Sequence, residues 1–426
     1  MIIKKMISLK PVGSIGLRNI LRLNSSSFSS NVDTEYYCNH KNAPEIKNNI
    51  SMRKGVGDVD LVLETYNALK RTSVTDNSHS ILKSKLFKEI YKLPNRTHPL
   101  IREYNDIPKI VCEVNKKRDF GDHIPLEFSE ITRRLNLLRT QKLGNACGHK
   151  AYYFLHELSE LEEALIKYTV SFLLQEGFNL VSVPDILPSN VLESCGMIVN
   201  NERTQIYTLD PVHHGPDLCL SGTAEMSLAG LLMNSKHKEA DLPLKLAAVS
   251  RCYRAEVSTA AEEKGIYRVH QFTKVEMFAV TTPEDSDEML EYIRGLQEKL
   301  FSPLGLHMRV LDMPPSELGA SAYRKYDIEA WMPGRNSYGE VSSCSNCTDY
   351  QSRRLDITCS DDSEVRFAHT LNGTACAVPR MLIALLETHQ HPKGKICVPD
   401  ALQPFLSGKK FIRKNTFVPG LSLLLK

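Results

Sequence analysis

The stretch from Arg251 to Val280, RCYRAEVSTAAEEKGIYRVHQFTKVEMFAV, constrains this chain more than any other. It reads as a strand, a polar loop and a second strand. In a strand, residues two apart share a face. Arg254 and Glu256 therefore point the same way, and so do Arg268, His270, Phe272, Lys274 and Glu276. One sheet surface then carries two arginines, two acids and an aromatic ring. Arginine forks bind phosphate oxygens in bidentate fashion. An aromatic ring stacks on a base, and acids take an amine or a metal. A solvated face of alternating ion pairs, each worth about 0–1 kcal/mol, accounts for the same pattern and is the plainer reading of it taken alone.

The rest of the chain predicts an α+β fold. Residues 58–94 make a short helical hairpin: Asp58 caps a first helix bearing Val59, Val62, Leu63, Tyr66 and Leu69, and a second carries Leu82, Leu86, Ile90 and Leu93 before Pro94 stops it. A basic helix is expected over Ser129–Lys142. A long one runs from Glu157 to Glu176, followed by a strand from Phe178 to Val183 and by Pro184. Another helix fits Pro283–Leu300, with its proline in the first turn. Long antiparallel-looking strands mixed with helices favour α+β over a doubly wound sheet. Neither a Walker A loop nor a Rossmann glycine fingerprint is present. No run approaches the roughly 20 apolar residues of a membrane span, so no membrane is expected.

The start of the chain differs in composition. Residues 1–30 hold Lys4, Lys5, Lys10, Arg18 and Arg22, no Asp or Glu, and a serine-rich end, which reads as a mitochondrial transit peptide. Residues 31–57 are polar and aperiodic, a flexible lead-in. The 11 cysteines are an odd, scattered set and do not form a disulfide framework. Cys344 and Cys347 form a single C-x-x-C with no second pair at a suitable spacing, so no zinc is expected.

Three more segments carry candidate chemistry. In LSGTAEMSLAG, Thr223 and Glu225 precede a small-residue helix; they suit an amino-acid ammonium, or simply cap the helix. In GEVSSCSNCTDYQSRR, Glu340 and Ser343 suit a metal or a phosphate, or a polar strand edge. In FAHTLNGTACAVPRMLIALLETHQ, Asn372 and Thr374 lie on a strand that turns into a helix starting at Pro379 and Arg380. An arginine at a helix start opposes the helix dipole, so it meets an anion or pairs with a carboxylate.

These segments, in this order, resemble the core of a class II aminoacyl-tRNA synthetase, and specifically the seryl-tRNA synthetase family. The Glu157–Pro184 stretch is similar to the first motif of that class, YRAE…YRVHQFTKVE to the second and LNGTACAVPRMLIALLE to the third. TAE at 223–225 and LPNRTHP at 93–99 are particular to the seryl family. YRKYDIEAWMPGR and FTKVEMF resemble its mitochondrial branch. The match covers roughly Leu93 to Gln390.

The resemblance implies an antiparallel sheet flanked by helices over residues 95–405, a tail over 406–426, and a homodimer formed through Glu157–Pro184. It implies ATP and Mg²⁺ as cofactors, serine and mitochondrial serine tRNA as partners, and the mitochondrial matrix as location. By position, Thr223, Ala224, Glu225, Arg254, Glu276, Asn372 and Thr374 would hold serine. Arg254, Glu256, Arg268, Val269, Phe272, Glu340, Ser343 and Arg380 would hold ATP, with Glu340 and Ser343 on its Mg²⁺. Arg254, Glu276 and Arg380 would be the catalytic residues.

The chain departs from the family in two places. Around Ala260 and Lys264 many members carry a glycine and an arginine. The hairpin is also much shorter than the family's long coiled-coil arm; Lys83, Lys85 and Lys88 are its candidate tRNA contacts, through phosphate charge. Two competing readings are a catalytically silent paralogue that binds RNA or a synthetase, and a threonyl enzyme, which would need a zinc ligand set.

Overall fold

The computed structural model describes residues 31–140, 147–199, 204–256, 265–361 and 364–417. The expected transit peptide, the Ala260/Lys264 loop and the last residues of the tail lie outside these. The lead-in expected to be flexible is instead helical: Thr34–Tyr37 forms one turn, and helix α1 spans Ala43–Met52. Its periodicity is thin because it buries only Ile46 and Ile50. These pack with Val32, Tyr37 and Cys38 against the hairpin. The hairpin is helices α2 (Val59–Arg71) and α3 (Asn77–Lys92). The Asp58 side chain accepts from the amides of Asp60 and Leu61, and Asp76 accepts from Ser78, so each helix start is satisfied by an aspartate. At 1.5 Å per residue the helices are roughly 20–24 Å long. Lys83, Lys85 and Lys88 are exposed on α3.

One sheet organises the remainder. Its strands are β1 (Lys109–Val114), β2 (Asn179–Val181), β3 (Leu244–Tyr253), β4 (Gln271–Thr281), β5 (Met308–Asp312), β6 (Arg324–Met332), β7 (Ser337–Thr348) and β8 (His369–Ala377). The order is β1-β5-β6-β7-β8-β4-β3-β2. Every neighbouring pair is antiparallel except β2 with β3. The expected α+β class holds. The two motif strands are shorter than their charge alternation suggests: β3 ends at Tyr253 and β4 begins at Gln271, so Arg254, Glu256, Arg268 and His270 sit on rim segments beyond the strands.

The longer helices that follow are α4 (Phe128–Leu135), α5 (Glu157–Gln175), α6 (Ala224–Leu231), α7 (Ser286–Phe301) and α8 (Val378–His389), with short ones at Ser189–Ser194, Pro211–His214 and Tyr350–Leu355. Helix α4 stops well short of Lys142, because Asn136 takes a left-handed conformation and caps it. Pro283 precedes α7 rather than opening it, while a proline does open α8. Val275, Met277 and Ala279 of β4 join α5, α7 and α8 in the larger apolar cluster. Phe278 and Val280, on the opposite face, join α6 and β3 in a second one. Phe272, Lys274 and Glu276 share that second face, nearer the rim.

The N-terminal helices are anchored to this body by a buried arginine. Arg53 donates to the carbonyls of Asn95 (3.1 Å) and Ala320 (3.4 Å), to that of Gly319, and to Thr97 Oγ1 (3.3 Å). It has no carboxylate among these partners, and burial pushes its guanidinium down to about 10. Asn95 continues the seam, donating to the carbonyls of Ser321 (2.8 Å) and Cys347 (2.9 Å). Arg53→Met removes all of these charged hydrogen bonds at once, although the Asn95, Gly319 and Ala320 carbonyls keep donors in Asn49, Ala322 and Asn95, and is expected to destabilise by about 2–4 kcal/mol. A thermal melt checks this, and a midpoint equal to that of the unchanged chain contradicts the anchor.

Candidate active site

A cleft of about 370 Å³ opens on the polar part of the second sheet face. Register brings its floor together. Glu276 of β4 lies opposite Thr374 of β8, Phe278 opposite Asn372, and Asn372 opposite Ser345 of β7. From the far side of the sheet, buried Gln297 of α7 donates to Ser342 Oγ (2.9 Å) and to the carbonyls of Ser343 (2.9 Å) and Thr374 (3.0 Å). The floor strands are thus locked from behind.

At one end of the cleft stand the acids. Thr223 caps α6, its hydroxyl accepting from the Glu225 amide at 3.3 Å. The Glu225 carboxylate accepts from Gln351 Nε2 (2.6 Å) and Asn372 Nδ2 (2.9 Å). Lys274 Nζ donates to Thr223 Oγ1 at 2.7 Å and pairs with the Glu276 carboxylate. Burial raises the Glu225 carboxyl to about 7, helped by the nearby charge of Glu276 and opposed by Gln351, Lys274 and Asn372. An acid poised this way meets an incoming ammonium at little electrostatic cost.

At the other end stand the arginines. The Arg254 guanidinium lies 5.2 Å from the Phe272 ring centre. Arg268 pairs with buried Glu256 at 3.5 Å, and Gln205 Nε2 donates to the same carboxylate at 3.5 Å. Arg380, in the first turn of α8, lies over Tyr267 at 4.6 Å and pairs with Glu340 at 3.1 Å. The carboxylate alternative raised by its position is therefore realised in this structure. Burial works against ionisation of Glu340, but Arg380 and Lys325 outweigh it and hold the carboxyl below its usual range. Glu340 and Ser343 offer hard oxygen donors, which suits a Mg²⁺ that keeps most of its ligands from water and phosphate. Among the described residues no group of three or more His, Cys, Asp or Glu is placed to hold a metal by itself.

Thirteen of the residues expected around serine and ATP line this one cleft: Thr223, Glu225, Arg254, Glu256, Arg268, Val269, Phe272, Glu276, Glu340, Ser343, Asn372, Thr374 and Arg380. Ala224 does not join them; it is fully buried and packs into the apolar cluster beneath α6. Cys344 lies in the core, and burial pushes its thiol and that of Cys347 far up. Lys274, Gln351, Gln205 and Tyr267 have no role in the sequence reading, yet all touch its residues. Only Lys274 carried a signal, its place in the 272–274–276 alternation.

Comparison with known proteins decides the family. Residues 207–389 match the family described as tRNA synthetase class II core domain (G, H, P, S and T). The mitochondrial serine–tRNA ligase of Saccharomyces cerevisiae is 40% identical over 81% of this chain and 78% of its own length. The chain belongs to the seryl-tRNA synthetase family. Its mitochondrial relative from Mus musculus is 47% identical over 79% of this chain, which spans 65% of the mouse protein. The structure of the Pyrococcus horikoshii seryl-tRNA synthetase complexed with ATP superposes with a TM-score of 0.80 at 30% identity, covering 90% of this chain and all of that one. Family membership accounts for the antiparallel core and for the meeting of the segments around 223–225, 254–276, 340–343 and 372–380 at one cleft.

The raised Glu225 carboxyl has a consequence for stability. The folded chain holds this proton more tightly than the unfolded chain does. Its stabilising contribution is therefore full near pH 4–5 and declines as pH rises toward 7. Glu225→Gln is expected to melt higher than the unchanged chain at pH 8, by about 1–2 kcal/mol, with the gap closing at pH 5. Melting curves at both pH values check this; a gap that is larger at pH 5 contradicts the assignment.

Proposed function

We propose that this chain is a mitochondrial seryl-tRNA synthetase: it activates serine with ATP and transfers it to mitochondrial serine tRNA in the matrix. The observation that carries the reading is the convergence of Glu225, Arg254, Glu276 and Arg380 on one cleft. In it, Glu225 meets the serine ammonium, and Asn372 and Thr374 complete the pocket. Glu276 accepts a hydrogen bond from the serine hydroxyl. A site built around that bond rejects alanine, because the missing hydroxyl leaves a buried carboxylate without its partner.

At the arginine end, Glu256 reads the adenine amino group while Phe272 and Arg380 flank the ring. ATP binding then exchanges the Arg254–Phe272 and Arg380–Glu340 contacts for contacts to the nucleotide. Arg268 takes the γ-phosphate. Arg254 lies between the serine carboxylate and the α-phosphate and neutralises their repulsion. Glu340 and Ser343 would hold Mg²⁺, which supplies charge neutralisation at the phosphates when bound. The serine carboxylate attacks the α-phosphorus in line, pyrophosphate leaves and seryl-adenylate forms. The terminal ribose hydroxyl of the tRNA then attacks the acyl carbon and AMP leaves. No protein nucleophile takes part; positioning and preorganised charge lower the barrier.

The presequence at residues 1–30 and the mitochondrial relatives support the location. A homodimer through α5 and β2 is supported by Leu174, Leu180 and Ile186, apolar residues about half exposed on those elements and just after them. The short hairpin suits a reduced tRNA gripped through phosphates.

Serine-dependent ATP–pyrophosphate exchange on the purified chain tests the reading. Exchange with serine and little with alanine is expected, and Glu276→Ala should remove that preference. A folded chain with no exchange is instead a silent paralogue. In filter binding, replacing Lys83, Lys85 and Lys88 by Ala together should weaken serine tRNA several-fold at low salt and flatten the salt dependence. Unchanged affinity places the tRNA elsewhere.

A further inference from the structure

We propose that Lys274 is a positioning residue that sets the amino-acid specificity of the cleft, by holding Glu276 and Thr223 in one rigid frame. The proposal rests on the serine pocket described above and adds to it a residue that does not itself contact the amino acid. Lys274 is almost completely buried, with 6% of its surface exposed. A buried amine needs partners for its three protons. Here they come from two different elements. One is the Glu276 carboxylate two residues along β4, through Oε2. The other is Thr223 Oγ1, at the cap of α6, at 2.7 Å.

This arrangement does two things. It holds Oε2 of Glu276 by charge, without a hydrogen bond to that oxygen, and leaves Oε1 for a substrate hydroxyl. It also fixes the start of α6, and with it the backbone that carries Glu225. Both acids of the pocket are therefore referred to one ammonium group. The spacing between them is the quantity that tells serine from a residue lacking the hydroxyl or carrying an extra methyl. Geometry within about 0.5 Å matters at such a site. The pair is not required for burial as such, because a neutral pair of similar volume packs about as well. Its value lies in direction.

The charge has a second effect. The ionisable groups facing Lys274 are Glu276 on its own strand, Glu225 on α6 and Cys252 near the end of β3, where Arg254 also acts on Cys252. Among these, Lys274 pulls the Glu225 carboxyl down against burial and against Glu276. Removing the amine therefore raises it further.

The test uses the full chain with Lys274→Met and Lys274→Arg, assayed by ATP–pyrophosphate exchange with serine, alanine and threonine between pH 6 and 9. Lys274→Met is expected to raise the serine KM at least tenfold and to leave the ATP KM within threefold. It should cut discrimination against alanine and threonine about tenfold, and move the acid limb of serine binding to higher pH. Lys274→Arg keeps the charge and should keep discrimination within threefold of the unchanged chain, even where turnover falls. A purely structural lysine would move the serine and ATP constants together. Lys274→Met with unchanged discrimination overturns the proposal, and so does Lys274→Arg that discriminates poorly, whether or not the methionine variant folds. No serine-dependent exchange by the unchanged chain sinks the enzymatic reading itself. Normal exchange with indifferent variants sinks only the role of Lys274.

Discussion

The pairing of β4 with β8 is the constraint on which the rest depends. Both strands lie in the middle of the sheet, and β4 is buried on both faces over most of its length. A central strand that carries Lys274 and Glu276 in a buried position is stable only if every charge on it finds a partner. The two charges pair with each other, and Thr223 at a helix cap accepts from Lys274, while Gln297 holds the neighbouring floor strand from behind. A slip of one residue in this register would turn Glu276 into the apolar cluster and Met277 into the cleft. The catalytic reading and the packing of the core are therefore the same fact seen from two faces.

The cleft also shows how a site of this kind stores binding energy. Its arginines are already engaged, Arg380 with Glu340 and Arg268 with Glu256, and Glu225 sits beside a second acid. An anionic nucleotide and an ammonium bring the counter-charges that this arrangement prefers. Each existing contact is a reference against which the substrate competes, so net affinity is a difference of similar quantities. Such a site discriminates through direction more than through strength. That is why a buried amine beside one carboxylate bears on discrimination along with the carboxylate itself.

Much of this was legible in the chain. The 272–274–276 alternation placed Phe272, Lys274 and Glu276 on one face, and the helix start at Pro379 brought Arg380 to the rim, because period and proline geometry are local properties. Arg254 and Arg268 belong to the cleft although they lie beyond the strand ends; there the alternation misled about the backbone but not about the destination. Gln351 and Gln205 left no trace, since a neutral amide on a short helix or loop looks the same whether it faces water or a carboxylate. The helices at Thr34–Tyr37 and Ala43–Met52 were missed for another reason. They bury few side chains each and take their stability from Arg53 and Asn95, whose partners are more than 200 residues away in places. Ala224 marks the limit of carrying roles by position, for its neighbours on both sides face the cleft while its own side chain supports the helix from below.

The same seam clarifies what the short hairpin can and cannot change. Arg53 and Asn95 bind to the backbone of residues 319–321, and Gly319, Ala320 and Ser321 form one wall of the cleft. The base of the N-terminal layer is thus part of the construction of the cleft. The outer turns of α2 and α3, which carry Lys83 and Lys85, stand apart from that seam; Tyr66 and Leu69 there pack on the cluster with Tyr37 and Cys38, and Asn67 bonds His40. Length can be removed from the outer turns without disturbing a single contact that shapes the cleft, whereas loss of the base would open its wall. Reduction of the arm therefore acts on what the outer turns can reach and leaves the cleft to a core that is held together independently of them.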